Sequence, residues 1–200
     1  DVVEHADGFI LHQATYIDTV LAKANVADCG PKDTPMDAAT KLSKDMEGEA
    51  SEINHWPYRS MVACVLYITI CTRPDIAFTV MTLSRFLEKP GAPMVKLCKR
   101  LLRYLKGTRT LGLRYSKSNT VLLGGLFKTH ANDFICGFSD ADWAGDQDQR
   151  KSTEGMILMV AGAAISWWSK LLKTIALSSQ DAEYMALSDA SREMLFIRAL

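Results

Sequence analysis

The sequence predicts an α+β fold, with helices in the first part and a β-rich second part closed by one helix. Three observations point there. Up to about residue 107, apolar residues recur at helical spacing; between 134 and 177, short β-rich runs alternate with turns; from Ser178 onward the helical period returns. Two hundred residues, 48% hydrophobic and 23% charged, suit one compact domain or two small ones. That composition excludes a mostly disordered or collagen-like chain. The longest apolar stretches, such as Met61–Cys71, fall far short of the ~20 residues of a membrane-spanning helix, so no membrane partner is expected.

In order along the chain, Gly8–Leu11 reads as a short strand and Gln13–Asn25 as a helix. Cys29–Pro57 carries Gly30, Pro31, Pro35, Gly48 and Pro57 among many charges, which predicts an irregular, exposed connection. Tyr58–Cys71 is apolar almost all round and predicts a buried helix. Pro74 then suits the first position of a second helix, Asp75–Glu88. A third helix should run from Ala92 to Lys106 and end at Gly107. At 100° per residue, Lys96, Lys99, Arg100, Arg103 and Lys106 fall on one stripe, with Met94, Leu97, Leu101 and Leu105 opposite. Leu111–Ser116 alternates like a strand. Strands are expected at Phe134–Asp142, Gly155–Val160, Ala164–Trp168 and Thr174–Leu177. The closing helix starts with Ser178 as N-cap and Asp181 as its acidic N3 partner, and runs to Leu200.

The net charge is zero, but its distribution is not. Residues 1–57 carry 11 acidic and 4 basic groups, residues 85–118 carry 10 basic groups against Glu88 alone, and residues 131–200 carry 10 acidic and 6 basic. Clustered Lys and Arg between acidic flanks are the footprint of a polyanion partner; a solvated helix face is the alternative. The five cysteines include no Cys-x-x-Cys pair, and the four histidines are scattered, so no structural zinc site or disulfide framework is expected. Unpaired thiols suit a reducing destination.

Three carboxylates are candidates for chemistry: Asp140 and Asp142 on a strand, and Glu183 on the last helix. Carboxylates facing one another from a strand and a crossing helix can hold Mg²⁺, which wants hard oxygen ligands. Two such ions about 4 Å apart can cleave a phosphodiester. Other catalytic readings find no support: Ser178-Ser179 has no nearby His, and neither Gly-x-Ser-x-Gly nor a phosphate-cradling Gly-rich loop occurs. Trp143, Trp167 and Trp168 are expected to pack in the core rather than stack on bases.

Several motifs then become specific. Gly137-Phe138-Ser139-Asp140-Ala141-Asp142-Trp143-Ala144-Gly145-Asp146, Arg150-Lys151-Ser152-Thr153, Ile165-Ser166-Trp167, Ala176-Leu177-Ser178-Ser179 and Ala182-Glu183-Tyr184 resemble the ribonuclease H region of copia-type retrotransposon polyproteins. Upstream, Thr34-Pro35-Met36, Tyr58-Arg59-Ser60, Thr72-Arg73-Pro74-Asp75-Ile76-Ala77 and Leu102-Arg103-Tyr104-Leu105-Lys106-Gly107-Thr108 resemble the end of the reverse transcriptase in the same polyproteins. The resemblance covers nearly the whole chain, in order. It implies a reverse-transcriptase thumb- and connection-like region at 1–118, a linker at 119–132, and a truncated ribonuclease H-like sheet with one helix at 133–200.

By the same resemblance, Asp140 and Glu183 match the first two metal ligands of the ribonuclease H site, with Mg²⁺ as the one cofactor implied. A third Asp and a later carboxylate or His have no counterpart before Leu200. Asp189 lies about 240° around a helix from Glu183, and same-face positions on a strand, as with Asp140 and Asp142, are about 7 Å apart. Tyr16-Ile17-Asp18-Thr19 imitates the polymerase Tyr-x-Asp-Asp motif without its second Asp. The expectation is therefore a catalytically incomplete sequence that binds an RNA–DNA hybrid or duplex through Lys96, Lys99, Arg100, Arg103 and Lys106. Departures from the family pattern are Glu154 after Lys151-Ser152-Thr153, the run Trp168-Ser169-Lys170-Leu171-Leu172-Lys173, and an apparent insertion at Gly124–Asn132.

Arg100-Leu101-Leu102-Arg103 also fits the Arg-x-Leu-Arg pattern of oomycete RxLR effectors, which are secreted and enter plant cells. No Asp/Glu-Glu-Arg motif follows it. This second resemblance implies an unidentified host protein as partner, with secretion followed by the host nucleus or cytoplasm as the location; otherwise the chain is expected to be intracellular. The start at Asp1 rather than Met suggests a fragment or a mature product.

Overall fold

The computed structural model describes residues 1–46, 56–116, 122–123, 127–128 and 135–199. The chain divides into a helical unit, formed by Asp1 and His12–Leu111, and a sheet unit, formed by Val2–Leu11 and Gly112–Leu200. The division falls near residue 112, and the N-terminal strands belong with the sheets rather than with the helices that follow them. Most of the linker expected at 119–132 lies outside the described residues; within it, β4 (Leu122–Leu123) and β5 (Phe127–Lys128) pair antiparallel.

Four helices build the helical unit: α1 (Ala14–Lys23), α2 (Tyr58–Thr72), α3 (Ala77–Ser84) and α4 (Ala92–Gly107). α4 starts with Pro93 in its first turn, where a missing N–H costs nothing, and buries Met94, Leu97, Cys98, Leu101, Leu102 and Leu105. α2 is less enclosed than its composition suggests. Met61, Val65 and Ile68 are fully buried, but Tyr67 and Ile70 on the opposite side are 50% and 62% exposed. The helix expected at Asp75–Glu88 is shorter and begins with a 3-10 turn at Pro74–Ile76, because Pro74 holds Arg73 out of the helical region. Side chains from all four helices, with Val26 and Leu42, form one continuous apolar core.

The sheet unit contains two three-stranded antiparallel sheets. The first has the order β1 (Val2–His5), β2 (Gly8–Leu11), β3 (Leu113–Ser116), with Leu11 opposite Leu113. β1 is a strand that sequence periodicity did not reveal: its residues are all exposed, so no buried face marks it. The second has the order β6 (Cys136–Asp142), β7 (Thr153–Val160), β8 (Ala163–Leu171). Ala161 and Gly162 join β7 to β8 with φ of 50° and 84°, the paired positive angles of a tight hairpin turn.

α5 (Ser179–Ala199) covers one face of the second sheet. Met156 and Leu158 of β7 meet Ala190, Met194 and Ile197, and Ala141 of β6 packs with Ala182 and Met185. Ser178 caps the helix by accepting the Asp181 N–H at 3.0 Å, while the Asp181 carboxylate accepts the Leu177 N–H at 2.9 Å. That is a capping box displaced by one residue. It also explains why Thr174–Leu177 is not the strand its composition suggests. Its last N–H serves the cap, its Ala176 carbonyl accepts from Trp143 Nε1 at 3.2 Å, and neither is left for a ladder.

Candidate functional site

The basic face of α4 is not open to solvent along its length. The connection that follows α1 lies along it. Arg103 Nε donates to the Gly30 carbonyl at 2.6 Å, and Lys106 Nζ donates to the carbonyls of Ala27 at 2.5 Å and Cys29 at 2.9 Å. Arg100 Nη2 donates to Thr34 Oγ1 at 2.8 Å and stands 2.6 Å from Asp37 Oδ1. Lys99 Nζ sits 5.4 Å from the centre of the Trp56 ring, within cation–π range. Lys96 and Lys99 remain exposed, while Arg100, Arg103 and Lys106 are half-buried.

Between α4 and this connection runs a groove of about 880 Å³. Lys32, Lys41, Lys96, Lys99, Arg100 and Arg103 line it, with Asp37 as the acidic residue among the described lining. The structure thus brings four of the five expected basic residues to one place and adds Lys32 and Lys41. The sequence carried no periodic signal for those two, because they lie in the irregular connection.

The Arg100–Arg103 pattern is part of the same helix. Leu101 and Leu102 are fully buried in the core, and both arginines hold the connection. Here the four letters are a helical packing element.

Two of the resemblance motifs interlock. Arg73, 1% exposed, is the largest of the fully buried side chains. Its Nε and Nη2 donate to the two Asp75 carboxylate oxygens at 2.8 and 2.7 Å. Its Nη1 and Nη2 also reach the Thr108 carbonyl at 2.9 Å and the Thr108 hydroxyl at 2.7 Å. Tyr104 packs its ring 5.5 Å from the guanidinium and donates its hydroxyl to Asp75 at 2.8 Å. Burial, then the hydrogen bond and charge of Asp75, push the Tyr104 hydroxyl above its ordinary range. This clamp makes the Arg73-Pro74-Asp75 and Tyr104–Thr108 motifs structural.

The candidate metal ligands are placed on different layers. Strand alternation turns Asp140 and Asp142 to the face of β6 away from Ala141, which meets α5, and Glu183 is exposed on α5. Asp142 lies against Gly145, where any Cβ would collide with its carboxylate. Among the described residues, no group of three or more His, Cys, Asp or Glu side chains is placed to hold a metal ion. Among the described residues, Asp140 and Glu183 therefore do not face one another across a common seat for Mg²⁺.

Asp189 has a different occupation. Lys170 Nζ bridges Glu154 Oε1 at 3.2 Å and Asp189 Oδ2 at 2.9 Å, and Arg192 pairs with Asp189 as well. Glu154 is 2% exposed. Burial pushes its carboxyl above the usual range, against the pull of Lys170. The hydrogen bond from Lys170 holds Asp189 below that range. In the sequence Glu154 stands out only as a departure from the family pattern; its burial depends on the register that sets it opposite Lys170.

The chain is 40% identical over 192 residues to the Retrovirus-related Pol polyprotein from transposon TNT 1-94 of Nicotiana tabacum, covering 94% of this chain and 14% of that protein. It is 41% identical over 141 residues to Secreted RxLR effector protein 161 of Plasmopara viticola, covering 70% of this chain and 91% of that one. It is 32% identical over 195 residues to an uncharacterized mitochondrial protein of Arabidopsis thaliana, covering 98% of this chain and 75% of that one. The chain therefore spans about one seventh of the tobacco polyprotein. No protein-family model and no solved structure matches it.

Proposed function

The chain belongs to the family that takes in the retrovirus-related Pol polyproteins of plant transposons, and we propose that its 200 residues hold the phosphate backbone of an RNA–DNA hybrid or duplex without cutting or copying it. The supporting observation is the groove beside α4, where six cations face one described carboxylate. Phosphate contacts from Lys and Arg supply affinity that does not read sequence. That is the role the resemblance assigns to a thumb- and connection-like region, and we extend the same assignment to 133–200 as the ribonuclease H-like part. Asp140 and Glu183 are that part's two matching carboxylates. Their separate layers give hydrolysis no geometric support.

The test is binding of a short labelled RNA–DNA hybrid across a salt series. Reversing Lys96 and Lys99 to Glu should weaken binding about tenfold or more at low salt and reduce the salt slope by about two. Absence of binding by the wild type, or unchanged binding by the double variant, would overturn the groove reading. With Mg²⁺ or Mn²⁺ added, the hybrid should stay intact. Cleavage that disappears in Asp140→Asn would overturn the non-hydrolytic half.

A second reading, of a secreted effector acting on a host protein inside plant cells, is favoured by one observation: the likeness to the Plasmopara viticola protein over nearly its full length. The encoded sequence before Asp1 separates the two. A charged segment followed by an apolar core favours secretion, and a Tyr-x-Asp-Asp palm favours the polymerase context. The effector reading also requires a host-cell phenotype on expression in plant tissue.

A further inference from the structure

We propose that Asp37, supported by Thr34, is a built-in phosphate substitute that occupies Arg100 and sets how tightly the groove takes a polyanion. The proposal rests on the groove reading above and adds its regulation.

The contacts made by the connection fall into two kinds. Arg103 and Lys106 are held by backbone carbonyls of Gly30, Ala27 and Cys29, so freeing them requires the backbone itself to move. Arg100 is held by side chains, an exposed carboxylate and a hydroxyl, at the lining of the groove. The Asp37 side chain is 59% exposed against 22% for Arg100, so it can swing into solvent on its own. Val26 and Leu42, 4% and 5% exposed, pin the connection to the core on either side and keep it in place during that swing.

The chemistry favours exchange. Asp37 engages one guanidinium nitrogen, and the buried Arg100 Nε has no partner among the described residues. A backbone phosphodiester offers two non-bridging acceptor oxygens and can bind a guanidinium through two parallel bonds, the stronger and more specific arrangement. Arg100 then passes from a carboxylate that matches it on one side to a phosphate that can match it on two. With its carboxylate exposed, the Arg100–Asp37 pair is a weak competitor, so removing it should tighten polyanion binding only about two- to fivefold.

The experiment is a double-mutant cycle on affinity for a short labelled RNA–DNA hybrid at low salt, using the full chain. Asp37→Asn should tighten binding by that factor and steepen the salt slope by about one. Arg100→Ala should cost little in the wild type, where Arg100 is engaged internally, and several-fold more in the Asp37→Asn background. Asp18→Asn removes the same charge from α1, where it pairs with Arg109 at 2.8 Å, and should change affinity less than Asp37→Asn. Equal cost of Arg100→Ala in both backgrounds overturns the proposal, as does equal tightening by the two Asp variants. If Asp37→Asn does not fold, Thr34→Val, which removes one acceptor, should tighten binding in the same direction, and no change there overturns it. Loss of binding in Lys96→Glu/Lys99→Glu without coupling in the cycle leaves the groove reading standing and removes only the role of Asp37.

Discussion

The helical unit and the sheet unit differ in how they serve their most deeply buried charged side chains, Arg73 and Glu154. In the first, twenty-one buried residues make one apolar cluster, and beside it Arg73 is met by Asp75, Thr108 and Tyr104 at once. In the second, nine of the described buried apolar residues fall into three clusters of three, and Glu154 lies buried with its Oε2 unpartnered among the described residues. α5 also leaves Tyr184, Leu187, Leu195 and Phe196 more than half exposed. A large core can fix a polar clamp in one geometry because every neighbour is itself fixed. Small clusters next to open apolar surface leave a buried carboxylate half served. Matching a motif's letters therefore does not by itself assign them to chemistry: Arg73, Asp75 and Tyr104 meet in one clamp.

The sharpest way to break this comparison is to remove the clamp. Arg73→Met should cost about 3–5 kcal/mol in chemical denaturation, since it removes four hydrogen bonds made by a buried charged group, to the Asp75 carboxylate and to the Thr108 carbonyl and hydroxyl. A cost below about 1 kcal/mol would show that the clamp is ornamental. Next comes a matched pair of core truncations at two fully buried leucines, Leu101 and Leu158. Leu101→Ala should fall near the top of the about 2–5 kcal/mol range for such changes and Leu158→Ala near its bottom, because small clusters relax around a cavity more readily. Equal losses would erase the contrast between the two cores.

The smallest effect concerns pH. The Glu154 carboxyl is raised by burial, so the stability it contributes is fully present below its ordinary value and is lost as pH rises through the raised one. Asp189 is lowered by Lys170 and works in the other sense, losing its contribution only as pH falls through its own depressed value. The melting temperature of Glu154→Gln relative to wild type should therefore climb between mildly acidic and neutral pH. A difference that stays constant with pH would mean that Glu154 keeps the same protonation on unfolding.

Much of the fold was legible because it is periodic. α4 was readable to within a residue, since Met94, Leu97, Leu101 and Leu105 repeat at helical spacing and Gly107 ends it. The span of α2 is legible but its open side is not, because composition alone cannot tell the exposed Ile70 from the buried Ile68. β1 was hidden: with no buried face, only its pairing to β2 reveals it. The basic residues of the candidate site were named from one helix. What covers them is not legible, because Gly30, Thr34 and Asp37 meet α4 through contacts some 63 to 73 residues apart. Glu154 is the same case in the other unit: its partners stand on β8 and α5, and sequence spacing does not encode either distance.

The pairing of β2 with β3 has one more consequence. Leu11 and Leu113 are direct neighbours across that ladder, so His12–Leu111, all of the helical unit but Asp1, is in chain order the loop of a single hairpin. Closing so long a loop costs only slightly more entropy than closing one half its length. In chain order that segment is an insertion between two paired strands, and the Leu11–Leu113 pairing is one that a two-residue turn is long enough to close.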